Sequence, residues 1–183
     1  SLLTKKTKAI ILNSPNNPTG ITYSKETIFK IVEIIKNYEE KFNIEIYIIS
    51  DEPYRYLEYE NTDQPFITTI FNRGIIATSF SKDLSLAGER IGYIAINPEN
   101  EDKEILISAL NFSNRTLGFV NAPAIAQRLV EKSINSIANI DVYRSKRDLM
   151  IDSLRSFGYN IVKPSGGFYL SPKSPVDDVK FCN

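Results

Sequence analysis

Apolar residues along this chain recur with two periods, and the alternation between them predicts an α/β fold. Short, β-branched runs bounded by turn residues read as buried strands. They fall at residues 8–13 (Ala9-Ile10-Ile11-Leu12), at 44–50, at Gly74-Ile75-Ile76-Ala77-Thr78 and at Ile91-Gly92-Tyr93-Ile94-Ala95-Ile96. Between the first two, Ile28, Ile31, Val32 and Ile35 recur at helical spacing, and Ser24 with Thr27 offers a cap, so a helix is expected over about residues 24–41. Its charges (Lys25, Glu26, Lys30, Glu33, Lys36) read as a solvated face. A unit of this kind should be parallel and right-handed. The fourth strand follows the third after a tight connection and is expected to run antiparallel to it.

The remaining pattern is helical and then irregular. Residues 57–73 read as a polar loop with a short helix near 67–71, in which Tyr56, Tyr59 and Phe66 pack or line a mouth. Asn97-Pro98-Glu99 opens a helix to about residue 111, residues 114–123 are a break, and helices are expected over 122–135 and 140–157. Gly158 is the expected stop, and residues 160–173 read as a hairpin. The expected architecture is three layers around a mostly parallel sheet.

Composition narrows the chemistry. The chain has 183 residues, with 22 basic and 22 acidic side chains, so electrostatics give no argument for nucleic acid or an anionic membrane as partner. Histidine is absent, which leaves acid–base work to Lys, Tyr, Asp or Glu and removes His-based triads and metal sites. The one cysteine, Cys182, excludes an internal disulfide. No apolar run approaches a membrane span, and no signal peptide opens the chain, so a cytoplasmic protein is the default expectation. The chain opens without Met and ends at Phe181-Cys182-Asn183, and it reads as a piece of a longer protein.

Polar residues with chemical potential cluster where the strands end. The first strand runs into Asn13-Ser14-Pro15-Asn16-Asn17-Pro18-Thr19-Gly20, which can continue neither strand nor helix. The second ends in Ser50-Asp51-Glu52-Pro53-Tyr54, and a carboxylate at the carboxyl end of a parallel strand lies where α/β folds bind ligands. Glu52 is the rival carboxylate, but an adjacent residue of an extended chain points to the other side. The third runs into Ser79-Phe80-Ser81-Lys82-Asp83-Leu84-Ser85-Leu86-Ala87-Gly88-Glu89-Arg90, with a lysine and an arginine eight residues apart. A lysine amine condenses with a carbonyl only when unprotonated, and guanidinium is shaped for two parallel bonds to phosphate oxygens.

Together these stretches resemble the class I/II aminotransferases, the fold-type I pyridoxal-phosphate enzymes. Asn17, Asp51 and Lys82 occur in the family's order, 34 and 31 residues apart. The resemblance implies that Lys82 forms a Schiff base with pyridoxal 5'-phosphate and that Arg90 grips its phosphate with Ser79, Ser81 being a second hydroxyl. It implies that Asp51 pairs with the pyridine nitrogen, and that Tyr54 and Asn17 bond the phenolic oxygen. It further implies a cis peptide before Pro18, a small-domain strand at Gly167-Phe168-Tyr169-Leu170, and a break near Arg115 close to the partner subunit's site. Residues 1–120 would then be part of the cofactor-binding large domain, and 121–183 interdomain helices with part of a small domain. The implied activity is transamination between an amino acid and a 2-oxo acid, by a homodimer in the full-length protein. Two alternatives share these residues: a lyase of the same fold, such as a carbon–sulfur lyase, and a non-enzymatic sensor domain of a transcription regulator.

Overall fold

The computed structural model describes residues 2–136 and 138–182. Four strands, β1 (Ala9–Asn13), β2 (Tyr47–Asp51), β3 (Gly74–Ser79) and β4 (Gly92–Ile96), form one sheet in the order β1-β2-β3-β4. The first three are parallel and β4 is antiparallel to β3, as the connection lengths predict. Register sets Leu12, Ser50 and Ile76 in one row and Asn13, Asp51 and Ala77 in the next, so the two rows face opposite sides of the sheet.

The helix between β1 and β2, α1 (Lys25–Phe42), covers the first of those faces. Ser24 caps it by accepting from the Thr27 N–H, and the chain leaves it through Asn43 in the left-handed region. Ile28, Val32 and Ile35 are buried against Leu12, Ile46, Ile48 and Ile76, with Ile67 of the short α2 (Ile67–Ile70) and Phe71. Burying side chains of this size contributes about 1.5–3 kcal/mol each. One charge enters this core: the buried Glu39 carboxylate accepts from the Ile46 N–H at 2.7 Å and from Arg73 Nη2 at 2.7 Å. Both partners satisfy an ion that would otherwise be costly to bury. This contact also explains why β2 begins at Tyr47 rather than at residue 44, because residues 44–46 are bound back to Glu39.

Four more helices complete the order: α3 (Lys103–Thr116), α4 (Ala124–Ser133), α5 (Ile140–Ser156) and α6 (Asp178–Cys182). α3 starts later than the Asn-Pro-Glu sequence suggests. The Asn97 side chain donates to the Phe71 carbonyl and accepts from the Glu99 N–H, and Asn100 does the same with Asn72 and Asp102. These turns bind the segment to the sheet and hold it out of a helix. Gly158 ends α5 at φ +86°, donating to the Arg155 carbonyl. The hairpin expected over 160–173 reduces to a single bridge, Ile161 to Pro172. Its middle is committed elsewhere: Ser165 and Gly166 donate to the Gly20 carbonyl, and Gly167 donates to the Leu57 carbonyl. Buried Arg147 of α5 holds this segment from behind through the Pro164 carbonyl at 3.0 Å.

Candidate active site

The carboxyl ends of β1, β2 and β3 and the turns after them bring most of the chemically distinctive residues together. The turn after β1 is fastened by its own asparagines. Asn13 Oδ1 accepts from the Asn17 N–H at 2.7 Å, and Asn16 Oδ1 accepts from the Thr19 N–H and hydroxyl. Peptides before Pro15 and Pro18 are both cis. Gly20 sits at φ +70°, where an added Cβ would lie 2.4 Å from the Pro164 side chain, so only glycine lets the turn meet residues 164–166 so closely.

Asn13 also faces its partner in the register. Its Nδ2 donates to the Asp51 carbonyl at 3.0 Å and to Asp51 Oδ2 at 3.1 Å. Asp51 is half-buried, and the loss of solvent pushes its carboxyl above the usual carboxylate range. It forms no salt bridge among the described residues. Its neighbour Glu52 is buried and taken: Ser50 Oγ donates to it at 2.7 Å and Arg55 Nη1 pairs with it at 2.8 Å. Arg55 in turn lies over the Phe66 ring, 3.6 Å from its centroid.

Tyr54 stands at the centre. It is only 4% exposed, and its hydroxyl meets the Tyr169 hydroxyl at 2.9 Å and Asn17 Nδ2 at 3.4 Å. Burial first, then the Tyr169 hydroxyl, push the Tyr54 phenol up to about 12, against a smaller pull from the Asn17 amide. Lys82 Nζ reaches over the same ring, 5.9 Å from its centroid, and lies 5.2 Å from the centroid of Phe168. Aromatic faces at that range attract an ammonium group. Asn17, Asp51, Tyr54 and Lys82 thus share one neighbourhood, with Tyr54 touching or flanking the others.

The phosphate candidates lie along the loop after β3. Ser79 pairs with Gly92 in the β3–β4 ladder, and the Phe80 N–H donates to the Ile91 carbonyl at 3.1 Å. The Phe80 carbonyl in turn accepts from the Leu86 N–H at 3.1 Å, which closes the loop on itself. The Ser79 and Ser81 hydroxyls have no hydrogen-bond partner among the described residues. Arg90 is exposed, at φ +51°, and its guanidinium donates to the Ala87 carbonyl of its own loop. The Arg90 side chain is thus held on its own loop and exposed. A cavity of about 600 Å³ between β4 and α3, bordered by Ile94, Ile107 and Leu110, is lined by none of Ser79, Ser81, Lys82 and Arg90.

Three neighbours escape the sequence reading of the site: Asn13, Phe168 and Tyr169. Asn13 was legible only as a turn residue, because its role depends on which strand lies beside β1. Phe168 and Tyr169 lie more than 85 residues beyond Lys82 and arrive through the 164–167 contacts. Of the aromatic residues after β2, Tyr59 is buried with its hydroxyl on the Gly167 carbonyl, whereas Tyr56 and Phe66 are exposed. Arg115, in the last turn of α3, is exposed.

Comparison with known proteins gives a consistent picture. The sequence model of one family, aminotransferase class I and II, matches residues 1–182. Aspartate aminotransferase of Thermotoga maritima is 33% identical over 183 residues, covering 99% of this chain and 46% of that protein. A probable aspartate/prephenate aminotransferase of Aquifex aeolicus is 36% identical over 181 residues, 93% of this chain and 43% of that one. Among solved structures, an amino transferase from Eubacterium rectale superposes with a TM-score of 0.92 at 38% identity, over 99% of this chain and 46% of that chain. The Thermotoga maritima aspartate aminotransferase structure superposes at 0.77 with 32% identity, again over 99% and 46%. The chain thus spans less than half the length of these relatives.

Proposed function

The chain belongs to the class I and II aminotransferase family, and from that premise we propose that it carries the lysine-bearing part of a pyridoxal-phosphate-dependent aminotransferase. The reaction would move an amino group between an amino acid and a 2-oxo acid. One observation carries this reading: Lys82 and Asp51 leave adjacent parallel strands and flank one buried tyrosine, whose hydroxyl is already bonded by Asn17.

The donor set suits that cofactor. Asp51 is a half-buried carboxylate with an amide partner and no cation, as a protonated ring nitrogen requires. Tyr54 and Asn17 present a hydroxyl and an amide to a phenolic oxygen. Ser79 and Ser81 offer unengaged hydroxyls, and Arg90 a guanidinium, to a phosphate. When bound, the cofactor supplies an aldehyde that condenses with amines and a ring that accepts electrons from the substrate Cα. Asp51 holds the proton on the ring nitrogen. Lys82 Nζ would take the proton from the substrate Cα as base and then, as ammonium, be the acid that returns it. The Tyr54 and Phe168 rings flank the amine.

On the same reading, residues 1–120 are part of the cofactor-binding domain, and 121–183 are interdomain helices with the start of a small domain. A homodimer is supported by the apolar side chains left exposed on α3, α4 and the turn between them, Phe112, Leu117, Phe119 and Ile125 each being about 70% exposed. No helix among the described residues is long and apolar enough to cross a membrane. The test adds pyridoxal phosphate to the intact gene product and records the visible absorption with and without Lys82→Ala. The expected imine band appears in the wild type and is lost in the variant; a band that survives Lys82→Ala removes the assignment.

A further inference from the structure

The Tyr54 hydroxyl has one proton to give and two lone pairs to fill. Asn17 Nδ2 can only donate to it, at 3.4 Å, whereas the Tyr169 hydroxyl at 2.9 Å can donate or accept. If the Tyr54 proton goes to an anionic ligand oxygen, Tyr169 is left as the donor, and both Tyr54 lone pairs are filled. We infer that Tyr169 is a positioning residue that acts through Tyr54, fixing its hydroxyl so that the single proton is aimed at the ligand's phenolic oxygen. The inference rests on the pyridoxal phosphate reading and adds to it a residue that the strand-end motifs do not contain.

Tyr169 is placed firmly enough for such a role. Its ring meets Tyr54 edge to face, with centroids 5.6 Å apart at 85°, and Phe168 meets Tyr54 the same way at 5.5 Å and 87°. Gly167, at φ +69°, turns the chain so that both rings face Tyr54, and its N–H is fixed to the Leu57 carbonyl at 2.7 Å. Pro164 and Ser165 are bound in turn to Arg147, Gly20 and Tyr59.

The experiment titrates the visible band of the loaded, intact gene product with pH in the wild type, Tyr54→Phe, Tyr169→Phe and the double variant, with melting curves as a check on folding. Weakening a donor to a phenolate raises the pH at which the band changes. Tyr169→Phe should raise it by about 0.5–1 unit, a three- to tenfold change in proton affinity of the size one hydrogen bond supplies. Tyr54→Phe should raise it at least as far, and the double variant no further than Tyr54→Phe. In the unloaded protein, the ¹³Cζ tyrosine resonance that vanishes in Tyr54→Phe should move in Tyr169→Phe. An unshifted titration in Tyr169→Phe, an additive double variant or an unmoved resonance overturns the inference and leaves the cofactor reading intact. A missing band, or one indifferent to Lys82→Ala, overturns both.

Discussion

The corner formed by Asn13, Asn17, Asp51 and Tyr54 and the loop from Phe80 to Ile91 border the same site, yet they are built differently. In the corner, each of these side chains has a protein partner, and Tyr54 is almost wholly buried. Around the loop, the hydroxyls of Ser79, at the end of β3, and of Ser81 have none among the described residues, and Arg90 is exposed with its guanidinium on the Ala87 carbonyl. On the pyridoxal phosphate reading, the corner would meet a flat ring with geometry that the fold fixes in advance. On the same reading, the loop would offer its donors to a phosphate that the chain itself does not supply. By that contrast, substitutions in the corner should register in the stability of the unloaded protein, and those in the loop chiefly in binding.

The largest effect on unloaded stability is expected at the base of the loop, where it joins the sheet. A Cβ on Gly92 would lie 2.4 Å from the Thr78 carbonyl oxygen and 3.0 Å from Ser79 Cα. Gly92→Val should cost roughly 3 kcal/mol or more by denaturant unfolding, since backbone must move to admit it. It should also weaken cofactor binding by displacing Ser79. A near-neutral result would mean that the β3–β4 pairing is loose and that the loop is not anchored where the ladder indicates.

Next comes the corner's own staple. Asn13→Ala removes two bonds to Asp51 and the acceptor for the Asn17 N–H. A loss of about 3 kcal/mol is expected, from three bonds that each contribute about 1 kcal/mol net. Asn13→Asp should do more harm than its size suggests, because it faces a second carboxylate in place of an amide. A stability unchanged in Asn13→Ala would place Asn17 and Asp51 by other means and erase the contrast with the loop.

How much of this was legible in the sequence differs between the two regions as well. The helix α1 announced itself through Ser24 and the Ile28, Val32, Ile35 stripe, because capping and periodicity are local. The antiparallel β4 followed from a short connection. The lysine loop was legible as a motif, but the contact of the Arg90 guanidinium with the Ala87 carbonyl was not, since it depends on the path of the whole loop. In the corner, Asn17 and Tyr54 were visible as turn and strand-end residues. Asn13 and Tyr169 were not, because their contacts depend on strand order and on a segment 152 residues beyond Asn17. The late start of α3 failed for a related reason: Asn97 and Asn100 bind carbonyls of residues 71 and 72. Local propensity predicted the elements well, and long-range polar contacts decided where they begin and which side chains meet.

A smaller effect, with a sign opposite to the first two, is expected at Asp51. Burial raises its carboxyl above the ordinary value, so the folded state binds the proton more tightly than the unfolded chain. Stability is then highest below the unfolded carboxylate value, falls as pH rises through the window up to the folded value, and stays lower above it. Asp51→Asn removes that penalty while its side-chain oxygen can still accept from Asn13 Nδ2. The unloaded variant should therefore melt slightly above the wild type at neutral pH and match it at acid pH, while losing the partner of the ring nitrogen. This would mark the carboxylate as kept for binding at some cost in stability. A variant that melts below the wild type at neutral pH would give Asp51 a structural role instead.

The smallest effect on the unloaded protein belongs to Arg90. A left-handed conformation costs a non-glycine residue about 1 kcal/mol, and glycine would relieve it. Glycine also has more chain entropy to lose, roughly 0.5–1 kcal/mol, and the bond to the Ala87 carbonyl goes with the guanidinium. These terms nearly cancel, so Arg90→Gly should leave unfolding within about 0.5 kcal/mol of the wild type. Cofactor affinity should respond quite differently. A guanidinium donating to phosphate is worth about 1.5–3 kcal/mol, so equilibrium titration with pyridoxal phosphate should show a loss of roughly ten- to a hundredfold. Pyridoxal without its phosphate provides the control, since its affinity should be nearly the same in wild type and variant. Equal losses for both ligands would mean that Arg90 shapes the loop rather than gripping the anion. The loop would then be built like the corner, by contacts the chain makes with itself.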